Sequence, residues 1–566
     1  MARTHLMTFV QRALRMARQA SASGLSIQEV AERKRERSSL EFDRRAFLQG
    51  SAGALGAVAL PLGDLAARAG EPSVAIVGGG MAGLHCAWRL HRLGITANVY
   101  DAAKRLGGRM FSDRNTFPGG QHCELGGELI DTGHETMHDL SQELDIELLD
   151  YNEDAPNLSR LVSYFEGRRL SDAEILQGFE PIAARIDASL AQLNDPEDYI
   201  TYQSPNGAQR LDRLSLSEWM DRQGIPRSDL TRRLIELAYV GEYGLEADVT
   251  NCLNLLTFIS TDTTRLELFG ESDERFHTKT GNDTFTRKLA DRLDSRRLHL
   301  EHRLVRLSSL SDGRYELTFT APGGTKKVKA GHVVLALPFT LLRQVDMRVQ
   351  LPAVKRRAIA ELGYGTNSKL MVGFDSRPWR RAPYLSDGAT YSDVGYMQTW
   401  ETSRLQPGNQ GIITQFTGGR VGLAQGAGTP QQRAADFLEG FNKVFPGVKA
   451  AHNGRVARMH WPTYPLTLGS YAAYKVGQYT SIAGAEIERV GNLHFCGEHT
   501  SLDAQGFMEG AALTGAMAAA EVADDLGCRV AEATGPGSRI LERARSTRVN
   551  GRWVDGLRRQ RRQRAG

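Results

Sequence analysis

A glycine-rich turn set directly behind a short apolar strand constrains this chain more than any other feature. Ser73-Val74-Ala75-Ile76-Val77 reads as a buried strand, and Gly78-Gly79-Gly80-Met81-Ala82-Gly83 follows as G-x-G-x-x-G at a helix start. In such a turn Gly78 permits the tight bend, Gly80 lets the backbone approach a pyrophosphate, and Gly83 lets helix and strand pack closely. The free N–H groups at the helix start, Met81 and Ala82, add positive potential for phosphates. A second strand, Ala97-Asn98-Val99-Tyr100, ends at Asp101, 23 residues beyond Gly78, where an acid can hydrogen-bond ribose hydroxyls. Alone, the glycine motif also suits a bare strand–helix turn. With strand, helix and acid in order, it predicts an α/β fold containing a Rossmann-type dinucleotide-binding domain.

Composition closes off other classes. With 566 residues, 41% apolar and 24% charged, the chain holds enough core for several domains and is not a disordered polymer. Its five cysteines are an odd number without a CxxC pair, which argues against a disulfide framework or a structural zinc cluster, and no metal is expected. No uninterrupted apolar run reaches the ~20 residues of a membrane span, so stable membrane insertion is not expected. Residues 1–70 carry a net +5 and residues 531–566 a net +7, which leaves −8 on the body. An acidic body disfavours nucleic acid as a partner.

The N-terminus reads as an address. Asp43-Arg44-Arg45-Ala46-Phe47-Leu48 precedes an apolar, Gly/Ala-rich stretch to Leu62, and Ala67-Arg68-Ala69 offers a small-residue cleavage site. This resembles a twin-arginine export signal behind a long basic extension; the alternative is an ordinary amphipathic helix. Export by that machinery implies a periplasmic or extracellular protein that leaves the cytosol folded. The arginine-rich tail, 531–566, is expected to be disordered.

Along the body, residues 135–275 have mostly helical spacing, clearest at Met137–Leu144, Asp172–Leu193, Ser217–Arg222 and Leu230–Tyr239. Tyr315–Thr320 and Val333–Leu337 read as strands. A mixed segment runs to about 460, and a strand-to-helix unit closes the core at 491–527.

Further motifs choose the dinucleotide. Lys104-Arg105-Leu106-Gly107-Gly108-Arg109 follows Asp101 closely. Far downstream, Phe495-Cys496-Gly497-Glu498-His499 reads as a strand ending in a Gly-Glu turn. Gln505-Gly506-Phe507-Met508-Glu509-Gly510 then opens a small-residue helix, Ala512–Ala523. Together these resemble the flavin-containing amine oxidase family over roughly 71–527. Asp101 stands where the family signature usually has Glu. The resemblance implies FAD, bound by Gly78, Gly80, Met81, Ala82, Gly83, Asp101, Arg105, Gly108, Arg109, Gly126, Gly127, Glu128, Gly497, Glu498, Gly506, Phe507 and Met508.

It also implies roles at the reacting centre. Gly365–Phe374 looks like the family's lysine strand, in which Lys369 would hold a water near the flavin; the alternative is a solvent-facing strand lysine. Ser470 stands where covalent flavin enzymes of the family carry cysteine, so FAD is expected to be non-covalent. Tyr471 and Phe507 would flank the substrate amine. The Glu124-Leu125-Gly126-Gly127-Glu128-Leu129 turn lacks the Met-Arg that clamps a carboxylate in several L-amino-acid oxidases. Arg404, in Trp400-Glu401-Thr402-Ser403-Arg404, is a replacement candidate, with Trp400 beside it. Glu128 would meet a cationic group of the substrate, or else cap its own turn.

The fold implied is a discontinuous FAD domain (71–134, 273–343 and 463–530) with a mixed α+β substrate domain (135–272 and 344–462). The implied activity is oxidative deamination of an L-amino acid, a basic one included, with dioxygen, giving the 2-oxo acid, ammonia and hydrogen peroxide. Alternatives are a monoamine or polyamine oxidase, or a secreted FAD-binding protein without catalysis. A homodimer is compatible with the sequence.

Overall fold

A computed structural model describes residues 74–196, 198–528 and 536–546. The twin-arginine motif, its cleavage site and the end of the basic tail lie outside the described residues.

Val74–Val77 is the middle of a five-stranded parallel sheet ordered Leu493–Phe495, His332–Leu335, Val74–Val77, Ala97–Tyr100, Leu298–His299. Its strands come from three separated stretches of chain. Val74, Ala75 and Ile76 have no exposed surface, as expected of a parallel strand covered on both faces. The helices Met81–Arg92 and Met508–Asp525 pack on each other and on this sheet. The second is buried along most of its length because its alanines and glycines permit close approach.

A four-stranded sheet, built from Arg303–Ser309, Tyr315–Ala321, Gly324–Ala330 and Asp346–Arg348, lies beside it in sequence. A seven-stranded mixed sheet runs His452–His460, Ser368–Phe374, Gly411–Thr417, Gln398–Glu401, Thr390–Ser392, Val162–Phe165, Arg168–Arg169. Ser368–Phe374 is its buried second strand, so Lys369 points into protein and not into solvent. The helical layer holds its own core around Phe179, Trp219 and Tyr239. Its helices are locally specified: Ser215 and Glu218 form a capping box, and Asp229 accepts the Arg232 N–H at 2.8 Å to start Leu230–Tyr243. Gly244, at φ 66°, ends that helix in the left-handed conformation.

The C-terminal expectation needs correction. Pro536–Ser546 is a helix, not a disordered segment. Ile540, Leu541 and Ala544 are buried in the core shared with the Glu135–Glu143 helix and Met508–Asp525. Arg539 and Arg543 both pair with Asp139, at 2.5 and 2.8 Å. Arginine-rich composition concealed a narrow apolar stripe with charged partners on either side. No helix among the described residues is long and apolar enough to cross a membrane. All five cysteines are free thiols.

Candidate active site

The glycine turn opens onto a cavity of about 270 Å³ whose walls come from the parallel sheet, the seven-stranded sheet and the helical layer. At its dinucleotide end the Met81–Arg92 helix begins without a side-chain cap, leaving its first N–H groups available to an anion. Gly80 lines the cavity, and a Cβ there would meet nothing nearer than Gly108 Cα at 3.8 Å, so the backbone itself forms the wall. Gly83 serves packing instead: a Cβ would fall 1.9 Å from the Gly78 carbonyl oxygen. Asp101 accepts the N–H groups of Gly79 and Ala103 at 2.6 and 2.7 Å, which fixes the carboxylate at the cavity edge. Burial raises its pKa, against those two hydrogen bonds.

Arg109 and Glu498 meet at 2.7 Å across the cavity wall. Arg109 also donates to the Ser470 carbonyl at 2.8 Å. Glu498 accepts the Gly506 N–H at 2.9 Å and, more weakly, that of Ala472. One ion pair therefore ties the Ser470–Ala472 segment to the Phe507 helix start. Gly108, Gly126, Gly127, Gly497, Gly506 and Met508 also line this cavity. Arg105 does not. It donates to the carbonyls of Leu106, Gly108 and Met110 and lies over the Phe111 ring, so it braces the turn from behind.

Lys369 and Glu128 are both buried and form an ion pair of 2.6 Å. The ammonium also donates to the carbonyls of Gly126 and Glu124 at 2.8 and 3.2 Å. Three protein acceptors match its three hydrogens, which corrects the expectation that it would hold a water. Glu128 is likewise occupied: its other oxygen accepts from Thr402 at 2.8 Å. It is the counter-ion of a buried lysine and not a free receptor for a cationic substrate.

Arg404 is corrected as well. It lies outside the cavity, drawn away by Asp154 and Asp387 at 3.1 and 3.5 Å and stacked over Tyr151. Trp400 does line the cavity. So do Ser470, which donates to Asn367 at 2.6 Å, and the aromatic pair Tyr471 and Phe507. The Tyr471 hydroxyl donates to the Glu242 carbonyl, and Phe507 packs edge-on against His134. His499 is buried against Phe339 and kept neutral by burial, a packing role.

Two cavity acids escaped sequence reasoning. Glu242 sits in the last turn of Leu230–Tyr243, and Glu274 precedes the Phe276–Thr278 strand. Glu274 has φ 44°, a left-handed backbone that costs a non-glycine residue roughly 1–2 kcal/mol. Glu274 is exposed by surface area and lines the cavity. Burial pushes Glu242 up to about 7, with help from Asp131. Burial pushes Glu274 up to about 8, with the charges of Glu242, Asp131 and Glu128 adding to it. No periodicity or motif marks either residue; only the folded geometry brings them together.

A family model described as flavin containing amine oxidoreductase matches residues 81–523. Among curated proteins the chain is 24% identical over 467 residues to polyamine oxidase 5 of Oryza sativa subsp. japonica, covering 80% of this chain and 88% of that one. It is 24% identical over 461 residues to an L-amino acid dehydrogenase of Synechocystis sp., covering 78% and 93%. Its fold is similar to that of cyclohexylamine oxidase from Brevibacterium oxydans IH-35A, with a TM-score of 0.70 at 22% identity, covering 81% of this chain and all of the other.

Proposed function

Since the chain belongs to the family of flavin-containing amine oxidoreductases, we propose that it oxidises an amine without a carboxylate in preference to an L-amino acid. It is an FAD-dependent oxidoreductase acting on amines or amino acids. What carries the choice is the cavity's charge. A substrate carboxylate taken into a buried site needs a cation to pair with. Among the described residues lining the cavity the cations are Arg109 and Lys369, and each is already paired with a carboxylate of the same wall. Asp101, Glu242 and Glu274 add acidic groups without adding a cation.

The residues present fit FAD, because the uncapped helix start, the bare backbone at Gly80 and the fixed Asp101 carboxylate form a cradle for a diphosphate and ribose. The bound flavin supplies the redox chemistry, hydride removal from the carbon bearing the amine to leave an imine for hydrolysis, with dioxygen as the proposed acceptor. The chain supplies placement. Tyr471 is pinned through its hydroxyl to Glu242 and through its carbonyl to the Gly365 N–H at 2.9 Å. Phe507 is pinned at a helix start. These two rings present flat apolar walls that orient an uncharged amine nitrogen and exclude water around it. The Lys369–Glu128 pair and its carbonyl partners hold the Glu124–Glu128 turn against the opposite wall.

The test is anaerobic reduction of the purified yellow enzyme by matched amines and L-amino acids. Faster bleaching by amines is expected. Bleaching by an amino acid but by no amine overturns the reading. The N-terminal residues support a further proposal, export through the twin-arginine pathway, since arginine pair, apolar run and cleavage site stand in the required order.

A further inference from the structure

We propose that Glu242, Glu274 and Gln398 form a receptor for a second cationic group of the substrate, so that the preferred substrate is a diamine or longer polyamine. This rests on the amine reading above and adds the charge of the substrate's far end.

Glu242, Glu274 and Gln398 line the same cavity, and among the described residues their side-chain oxygens accept no hydrogen bond. Neither Glu242 nor Glu274 has an ion-pair partner among the described residues. Gln398 is 9% exposed, lines the cavity, and its Oε1 accepts no hydrogen bond. That oxygen lies beside Gly241, where an added Cβ would be 3.4 Å away, so it adjoins the residue before Glu242.

The placement of each acid disfavours an unpaired negative charge. Glu242 occupies the last helical turn, where the helix dipole opposes a negative charge. Glu274 stands on a left-handed backbone, with its N–H held by Asp131 Oδ1 at 2.9 Å. The two carboxylates also repel each other. One arriving ammonium offsets the two charge penalties: it offers three N–H donors to two carboxylates and an amide oxygen. Glu242 further lines a neighbouring cavity of about 120 Å³, whose wall includes Asp198, Asp503 and several tyrosines and, among the described residues, no lysine, arginine or histidine. The two cavities share Glu242, Tyr471 and Phe507 in their walls, so the acidic lining adjoins the aromatic pair. A divalent cation could use the same oxygens, and the experiment separates the two.

The holoenzyme is assayed with a series of α,ω-diaminoalkanes against n-alkylamines of equal length. The wild type is expected to prefer the diamines. Glu242→Gln and Glu274→Gln, each checked for retained flavin absorbance, should each lower the diamine-to-monoamine ratio of kcat/KM by about ten- to a hundredfold, chiefly through KM. Equal use of both series by the wild type, or a ratio that neither variant moves, overturns the receptor and leaves the amine reading standing. Turnover of amino acids alone overturns that reading and the receptor with it. Thermal unfolding supplies a readout that needs no turnover. Diaminoalkanes should raise the midpoint of the wild type more than that of either variant. The absence of such a difference, or equal stabilisation by Mg²⁺ or Ca²⁺, overturns the receptor.

Discussion

The Glu128–Lys369 pair shows how one residue's role depends on a partner 241 positions away. Removing one member of a buried pair strands the other's charge, which costs ~3–5 kcal/mol, whereas apolar replacement of both is much cheaper. Lys369→Met and Glu128→Leu are therefore each expected to lower the urea unfolding midpoint strongly, and the double variant by less than their sum. Additive effects would show that the pair is not coupled. Acidity at Glu242 and Glu274 makes a second prediction. Their folded values, about 7 and about 8, lie above the ordinary 4.5, so between these limits the folded chain holds protons that the unfolded chain has released. Stability from this source therefore falls as pH rises through that window. The charges facing them are Asp131 for Glu242, with Glu128 and Lys369 joining at Glu274; His134 is neutral there, its value lowered to about 4. A diamine binds the ionised carboxylates, so its gain in thermal midpoint should grow from about pH 6 to about pH 8. A gain that shrinks over that range contradicts the ionised receptor.

Elements were legible where their signals were local. The glycine turn, the strands around 315–335 and the helices near 217–222 and 230–239 could be read because their spacing repeats within a few residues. Gly83→Ala makes the point testable. A Cβ placed 1.9 Å from the Gly78 oxygen must push the helix off its strand, and the purified variant is expected to lose its flavin absorbance. The helix Pro536–Ser546 was illegible for the opposite reason. Its Ile540, Leu541 and Ala544 form a stripe too narrow to stand out among arginines, and its partner Asp139 is some 400 positions away. Ile540→Ala should cost about 2–5 kcal/mol of stability if that stripe is core, measurable as a lowered thermal midpoint with activity retained at low temperature. The seven-stranded sheet remained a mixed segment in the sequence because its strands pair across long intervals. The two cavity acids were hidden likewise: neither belongs to a pattern, and only topology places the end of one helix opposite the loop before a distant strand.

At the scale of the whole molecule, the sequence carried the family and the cofactor, while the sign of the cavity's charge emerged from tertiary pairing. Ser470, where a thiol would be needed for a thioether, leads to the expectation that acid precipitation leaves all yellow colour in the supernatant; colour in the pellet contradicts it. Replacing Arg44 and Arg45 by lysine should hold the protein in the cytoplasm, and unchanged export of the double variant would remove the twin-arginine proposal. The parallel sheet has a consequence for biosynthesis. Its central strand ends at Val77, but its outermost strand on one side ends at Phe495, and Glu498 and Phe507 follow later still. At ~5–20 residues per second, a ribosome needs roughly 20–80 s to travel from one to the other. Throughout that interval the cavity beside the nucleotide-binding turn lacks part of its wall; the central strand is paired on both sides once His332–Leu335 is made, and the outer edge of that strand then stays open until Leu493–Phe495 arrives. Cofactor loading is thus a late event that reports completion of the chain. A product truncated anywhere before Met508 should emerge colourless, and the presence of bound flavin marks a molecule as fully made.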